Sequence, residues 1–185
     1  CEWGCFDYSQ QEPRLVVHYA SLDQDTSVFS VKEAYDEGDA DFHTIVAKMA
    51  DIPRTAAKTI NLGLFYGMGK AKLQAELGVS KDKAEELFNI YHERVPFVKS
   101  LMRSVSNRAQ QRGQIRTLLG RLCRFHLWEP NTFGMHKALP FEQAVQEHGP
   151  GIKRAYTYKA LNKLIQGSAA DMTKKSMLDL YKEGI

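Results

Sequence analysis

Arg54, Lys58, Leu62 and Tyr66 recur at every fourth position of the chain. On an α-helix each such step rises about 6 Å and rotates about 40°, so the four side chains form one slowly drifting stripe. Pro53 suits the first turn, where a missing N–H costs nothing. Ala56, Ala57, Lys58 and Leu64 favour helix, while Gly63 and Gly67 weaken it late and leave room beside the backbone. The predicted helix carries two cations at its positive dipole end, where phosphate is attracted, and a flat apolar ring at its far end. Such a stripe can hold a nucleotide by its phosphates and its base. The plainer alternative is a solvated basic face on an ordinary core helix.

The remaining periodicity predicts a mostly helical α+β chain with no repeat or low-complexity segment. Residues 3–8 read as a short strand ending at Asp7, and Arg14 to Leu22 as a helix with Pro13 early in it. The acidic stretch from Asp36 to Asp41 leads into a helix at about 42–51. Ser80 is a good N-cap for a helix through Tyr91, with Leu87, Tyr91 and Val95 on one face and Pro96 at its end. Another helix fills about 97–112 until Gly113 breaks the pattern. Residues 114–119 and 122–126 then read as a hairpin turning at Gly120-Arg121. Residues 127–150 are rich in Pro, Gly and His and read as a loop or insertion. A last helical pattern runs from about 152 to 183, with Gly167 marking a kink or close packing.

At 185 residues the chain can bury a core as one domain or two joined lobes. Its hydrophobic content of 43% and charged content of 25% are ordinary for a globular protein. No apolar run is long enough to span a bilayer, no signal-peptide pattern opens the chain, and no membrane partner is expected. Cys1, Cys5 and Cys123 read as free thiols, since no second close-spaced ligand pair accompanies them. The net charge of +3 hides an asymmetry: residues 1–51 hold 11 acidic and 3 basic side chains. From Arg94 to Trp128 there are eight Lys or Arg and no acid, a composition suited to a phosphate backbone. Helical phase limits that tract, because Lys99 and Arg103 share a face while Arg108 and Arg112 fall nearly opposite.

Two acids precede the cationic stripe by some fifty residues. Asp7 closes the predicted strand and Glu12 follows where a helix begins. Phosphoryl transfer needs fixed carboxylates for Mg²⁺, which binds through one or two acids plus substrate phosphates. Asp7-Tyr-Ser-Gln-x-Glu12-x-Arg14 resembles motif A of the family A, DNA polymerase I-like, DNA polymerases. Arg54-x3-Lys58-x7-Tyr66-Gly67 resembles motif B, the O helix of their fingers. Asp41-Phe-His43-Thr44 is similar to the Asp-x-His-Thr segment between them, and Gly113 to Arg124 to the hairpin joining fingers to palm. Asn162-x3-Gln166-Gly167-x-Ala-Ala-Asp171 resembles the helix that follows the fingers. The resemblance covers most of the chain in unbroken order, most loosely at about 125–157.

The resemblance implies part of a polymerase palm plus the fingers. Residues 1–35 would be a palm segment with motif A, 36–155 the fingers, and 156–185 a palm helix. It implies that Asp7 holds both Mg²⁺ ions with the Tyr8 carbonyl as a further ligand. Glu12 would lie beneath the sugar and exclude a ribose 2′-OH. Gln10, His43, Arg54 and Lys58 would line the triphosphate site, with Lys58 also protonating the leaving pyrophosphate. Leu62 and Tyr66 would contact sugar and base. Asn162 and Gln166 would reach the minor groove of primer–template DNA, and Arg14 would lie near the DNA. Leu62 stands where Phe or Tyr is usual, Gln11 and Pro13 flank Glu12 where aliphatic residues are commoner, and Tyr158 stands where Arg is frequent.

The family's motif C, a His-Asp-Glu carrying the second metal-binding carboxylate, does not follow Asp171 in this sequence. Asp171 lies in a predicted helix and is expected to pack, which makes it a poor substitute. The expected partners are therefore primer–template DNA, a dNTP, and a polypeptide segment carrying motif C and the thumb. The opening Cys1 fits a processed, cut or split product of a larger gene, in the cytoplasm of a bacterium or phage-infected cell. The alternative is a nucleotide- or nucleic-acid-binding fragment without catalysis.

Overall fold

The computed structural model describes residues 4–23, 25–38, 40–65, 70–132 and 134–184, without the side chains of 64, 65 and 70. Tyr66 and Gly67, the end of the predicted stripe, lie outside the described residues, as does Cys1. The chain divides into two compact units. The first is formed by the chain up to Lys99 apart from the end of the motif B-like helix, and the second by the chain from Ser100 onward.

The first unit is helical among its described residues. Residues 4–8 form no strand, contrary to the sequence reading. A strand exists only through a ladder with a neighbour, and no described residue pairs with them. Helix α1, Gln11–Leu22, begins three residues earlier than predicted and buries Leu15, Val16, Val17 and Ala20. A 3₁₀ turn at Thr26–Val28, capped by the Asp25 side chain, leads into α2, Phe29–Asp36. The sequence reading left α2 out, and its weak signal is understandable: only Val31 is buried along it. Helix α3, Phe42–Ala50, follows the acidic stretch as expected. Helix α4, Arg54–Phe65, starts directly after Pro53 and carries the basic stripe. Ala57, Ile60 and Asn61 are fully buried on one side, whereas Arg54 and Lys58 are exposed.

Helix α5, Lys70–Leu77, was not predicted, and it packs on α6, Lys81–Arg94. Ser80 caps α6 through a 3.3 Å bond from the Lys83 N–H, and Leu87, Tyr91 and Val95 are buried as the spacing predicts. α6 also packs on α3. The chain then enters α7, Pro96–Arg112, whose first turn buries Phe97 edge-on to Phe42 at 6.4 Å between ring centroids.

The second unit begins within α7. Gly113 ends that helix with φ +67°, where a side chain would be strained. Strands β1, Gln114–Arg116, and β2, Leu122–Arg124, pair antiparallel with Ile115 opposite Cys123, which confirms the predicted hairpin with shorter arms. The region read as an insertion is ordered. It holds β3, Leu127–Pro130, β4, Leu139–Pro140, and α8, Phe141–His148. The expected helix from 152 also begins later. Strand β5, Ile152–Arg154, comes first and completes a sheet of order β4-β3-β5, and α9, Ala160–Lys182, follows a 3₁₀ turn at Thr157–Lys159.

Arg154 links this short sheet to its surroundings. Its guanidinium donates to the Gln110 carbonyl at 3.1 Å and the Phe125 carbonyl at 2.9 Å, and stacks 4.5 Å from the Trp128 ring centroid. One side chain thus ties the end of α7 to β3 and β5.

The β1–β2 turn is clasped to α9. Arg121 donates to the Asp171 carboxylate at 2.8 Å and to the Gly167 carbonyl at 2.9 Å. Thr117 donates its hydroxyl hydrogen to the same carboxylate, and Ser168 Oγ accepts from the Leu118 N–H at 3.0 Å. Asp171 is thus a packed structural acid, as its helical position implied. Gly167 marks close packing, since a Cβ there would lie 2.8 Å from Thr117 Cγ2. Gly167→Ala should destabilise the chain by ~1–3 kcal/mol through overpacking, read as a lower thermal midpoint. An unchanged or higher midpoint would contradict the contact.

Candidate active site

The site residues of the first unit are arranged by two polar brackets. The first is Gln10. Its backbone lies in the left-handed region at φ 54°, a conformation that disfavours a side-chain-bearing residue by about 1–2 kcal/mol. Its side chain is locked from both ends. The Nε2 donates to the Ala40 carbonyl at 2.8 Å, while the Oε1 accepts from the Tyr35 hydroxyl at 3.0 Å and the Phe42 N–H at 2.8 Å. Burial pushes the Tyr35 phenol up to about 12, so it stays protonated and donating. The residue predicted to touch a triphosphate therefore also holds the start of α3, which carries His43.

Asp41, Thr44 and Arg54 form the next group. Arg54 Nε donates to the Asp41 carboxylate at 2.7 Å and to Thr44 Oγ1 at 3.1 Å, and Thr44 donates its hydroxyl to the same carboxylate. Burial pushes the Asp41 carboxyl upward, but the hydrogen bonds from Arg54 and Thr44 and the Arg54 charge outweigh it and hold it at about 2. The Arg54 side chain is 55% exposed. An exposed ion pair of this kind is worth only about 0–1 kcal/mol, so a phosphate could draw Arg54 away at little cost.

The second bracket is Asn61, a polar residue on the buried side of α4. The hydroxyl of the fully buried Tyr91 donates to Asn61 Oδ1, and Asn61 Nδ2 donates to His43 Nδ1 at 3.0 Å. Burial lowers the His43 pKa; the Arg54 and Lys58 charges lower it further and the Asp41 charge opposes them. His43 is thus neutral near pH 7, and with Nδ1 accepting, its proton sits on Nε2. Neither Asn61 nor Tyr91 was picked as a functional residue from the sequence. The helical phase of Asn61, close to the exposed Arg54 and Lys58, gave no signal of its burial.

Lys58 is exposed one turn beyond Arg54, and Leu62 is half-buried one turn further. Arg14 donates Nε to the Ser9 carbonyl at 3.1 Å and lies 4.6 Å from the Tyr35 ring centroid. Asp7 and Tyr8 are exposed in the irregular stretch before α1, and Glu12 is half-buried in its first turn. The contacts of the described residues join Gln10, Asp41, His43, Arg54 and Asn61; they do not join Asp7 to that group. The Asp7 carboxylate and the Tyr8 carbonyl are hard oxygen donors on exposed residues, the class that suits Mg²⁺. No cluster of three or more metal-ligating side chains occurs among the described residues. In the second unit, Asn162 is half-buried and Gln166 exposed on α9, while Leu161, Leu164 and Ile165 are buried. Lys163 lies 5.0 Å from the Phe125 ring centroid.

The model of DNA polymerase family A matches residues 2–184, and the chain belongs to that family. It is 31% identical to a DNA-directed DNA polymerase of Pseudomonas phage M6 over 99% of this chain and 31% of that protein. It is also 31% identical to DNA polymerase I of Bacillus caldotenax over 97% of this chain and 19% of that one. The chain thus spans a third or less of these relatives. Among solved structures it resembles the POL domain of Pol1 from M. smegmatis in complex with DNA primer-template and dNTP. That likeness has a TM-score of 0.67 and 27% identity, covering 97% of this chain and 30% of that one. No helix among the described residues is long and apolar enough to cross a membrane.

Because the Asp41 carboxyl is held low in the folded state, its contribution to stability is complete above the ordinary carboxylate value of about 3.9. It is lost as pH falls toward about 2. The stability gap between the native chain and Arg54→Ala should therefore narrow as pH is lowered from about 5 to about 2. Urea unfolding across that range measures it, and a pH-independent gap would remove the ion pair as its source.

Proposed function

We propose that this chain forms the motif A and motif B portion of a template-directed DNA polymerase. It would be composed of a palm segment at 1–35, fingers at 36–155 and a palm helix at 156–185. The observation that carries the reading is the linkage of α3 to α4: Arg54 bonds to Asp41 and Thr44, His43 meets Asn61, and Gln10 holds the start of α3. Two exposed cations in the first turns of α4 thus lie close enough to a neutral imidazole for their charges to act on it.

In this reading a dNTP lays its triphosphate along Arg54, Lys58 and His43. Arg54 exchanges Asp41 for phosphate oxygens, using its planar fork, and Lys58 acts as a point charge. The primer 3′-oxygen attacks the α-phosphorus; a new O–P bond forms as the α–β bridging P–O bond breaks, and pyrophosphate leaves. Lys58 is placed to give the departing pyrophosphate a proton. Mg²⁺, held by Asp7 and the Tyr8 carbonyl, would stabilise the attacking and leaving oxygens. In this reading a second metal-binding carboxylate would come from a motif C segment. Glu12 takes the place of the ribose 2′-OH, Leu62 and Tyr66 meet sugar and base, and Arg14 lies near the DNA. Asn162 and Gln166 offer amide donors to minor-groove acceptors that every base pair shares, which senses shape without reading sequence.

Primer extension by the complete polymerase assembly containing this chain tests the reading. Asp7→Ala should abolish extension, since it removes a metal ligand, while Lys58→Ala should slow it by about 10²–10⁴-fold, the range for a lost general acid. Extension by Asp7→Ala at the native rate would refute the catalytic role. Glu12→Ala should admit ribonucleotides; unchanged discrimination between dNTP and rNTP would remove Glu12 from that role.

A further inference from the structure

We propose that Tyr91 and Asn61 are positioning residues that set the tautomer of His43 and so present an Nε2–H donor at the nucleotide site. The inference deepens the reading of His43 as a triphosphate contact and rests on it.

The argument starts from burial. Asn61 and Tyr91 are both completely buried, on α4 and α6. A buried amide left unpaired is costly, so its orientation follows its partners. Burial raises the Tyr91 phenol, so it remains a hydroxyl and donates to Asn61 Oδ1. That bond leaves only the Nδ2 side of the amide to meet His43 at 3.0 Å. An amide NH₂ can only donate, so His43 Nδ1 must accept. The remaining ring proton is then confined to Nε2. The opposite amide orientation would put a carbonyl oxygen against Nδ1, draw the proton there and leave Nε2 as an acceptor. An acceptor facing a phosphate oxygen repels it, so the relay decides the sign of the contact.

Three elements converge here. His43 is on α3, Asn61 on the helix that carries Arg54 and Lys58, and Tyr91 on α6. The charged groups acting on His43 are Asp41, Arg54 and Lys58. None of them contacts Nδ1, which is taken by the amide. Removing the Tyr91 hydroxyl would free Asn61 to rotate without touching any charge at the site.

The test combines spectroscopy and kinetics in the complete polymerase assembly. Imidazole nitrogen shifts of ¹⁵N-histidine-labelled protein, with His43 assigned by His43→Gln, report which nitrogen carries the proton. The native protein should show a pyridine-like Nδ1 and a protonated Nε2. In Tyr91→Phe the Nε2–H form should lose its dominance, and the dNTP KM should rise about tenfold with kcat changed far less, since a hydrogen bond to a charged group is being lost. Asn61→Leu, which cannot donate, should act in the same direction and guards against a folding defect peculiar to one variant. An Nδ1–H form in the native protein, or an unchanged tautomer in both variants, would overturn the positioning role. Loss of the tautomer with an unchanged KM would overturn its link to nucleotide binding. His43→Ala separates the two claims: if it leaves the dNTP KM unchanged, the triphosphate role of His43 fails whatever the nitrogen shifts show.

Discussion

An amide sealed from water constrains the first unit more than any other group. Asn61 is completely buried on α4, within about 60° of the exposed Arg54 and Lys58 around the helix. It needs partners on two sides, and it finds them on α3 and α6 through His43 and Tyr91. An apolar residue there would leave the Tyr91 hydroxyl and His43 Nδ1 without the partner that links them. The amide gives the contact of α3, α4 and α6 a register, because a shift of an ångström or two would strand a buried polar atom. The same requirement carries chemistry, since the group that fixes the packing also decides where His43 keeps its proton.

The electrostatics of this unit follow a similar logic. Its N-terminal stretch is acidic, yet Arg54 and Lys58 are cationic and His43 is neutral. Asp41 supplies the counter-charge that holds Arg54 in place before any ligand arrives. The pair is weak because it is exposed. Gln10 contributes differently: strained in its own backbone, it anchors the segment carrying Asp41 and His43 to the turn before α1. A residue expected only to touch substrate thus also builds the wall of the site.

The second unit is organised by two arginines that act within it. Arg121 and Thr117 hold the hairpin turn on α9 through Asp171, whose carboxyl is driven up by burial but drawn lower by their hydrogen bonds and by the Arg121 and Lys174 charges. Arg154 gathers a carbonyl from the end of α7 and one from the connection after β2, and stacks on Trp128. Much of the basic tract between Arg94 and Trp128 looked like phosphate-binding surface. Arg121 is bound to the protein instead, and its composition alone could not separate the two uses.

The sequence by itself determined the helices with strong local signals. α3, α4, α6 and α7 were legible because a cap, a proline or a repeating apolar face is a property of a few adjacent residues. The order of the motif-like residues was legible too, and with it the family. Tertiary structure alone decided the elements without such signals. Residues 4–8 lack a ladder partner among the described residues, whereas β3, β4 and β5 have one another, and Arg154 supplies the contacts their pattern does not announce. It also decided which polar residues turn inward. Gln10, Asn61 and Tyr91 differ from surface residues only in what faces them, and those partners lie about 18 to 32 positions away along the chain. Spacing within a helix encodes a face; the hydrogen-bond partner across the gap is set by the packing of three helices, and no local pattern contains it.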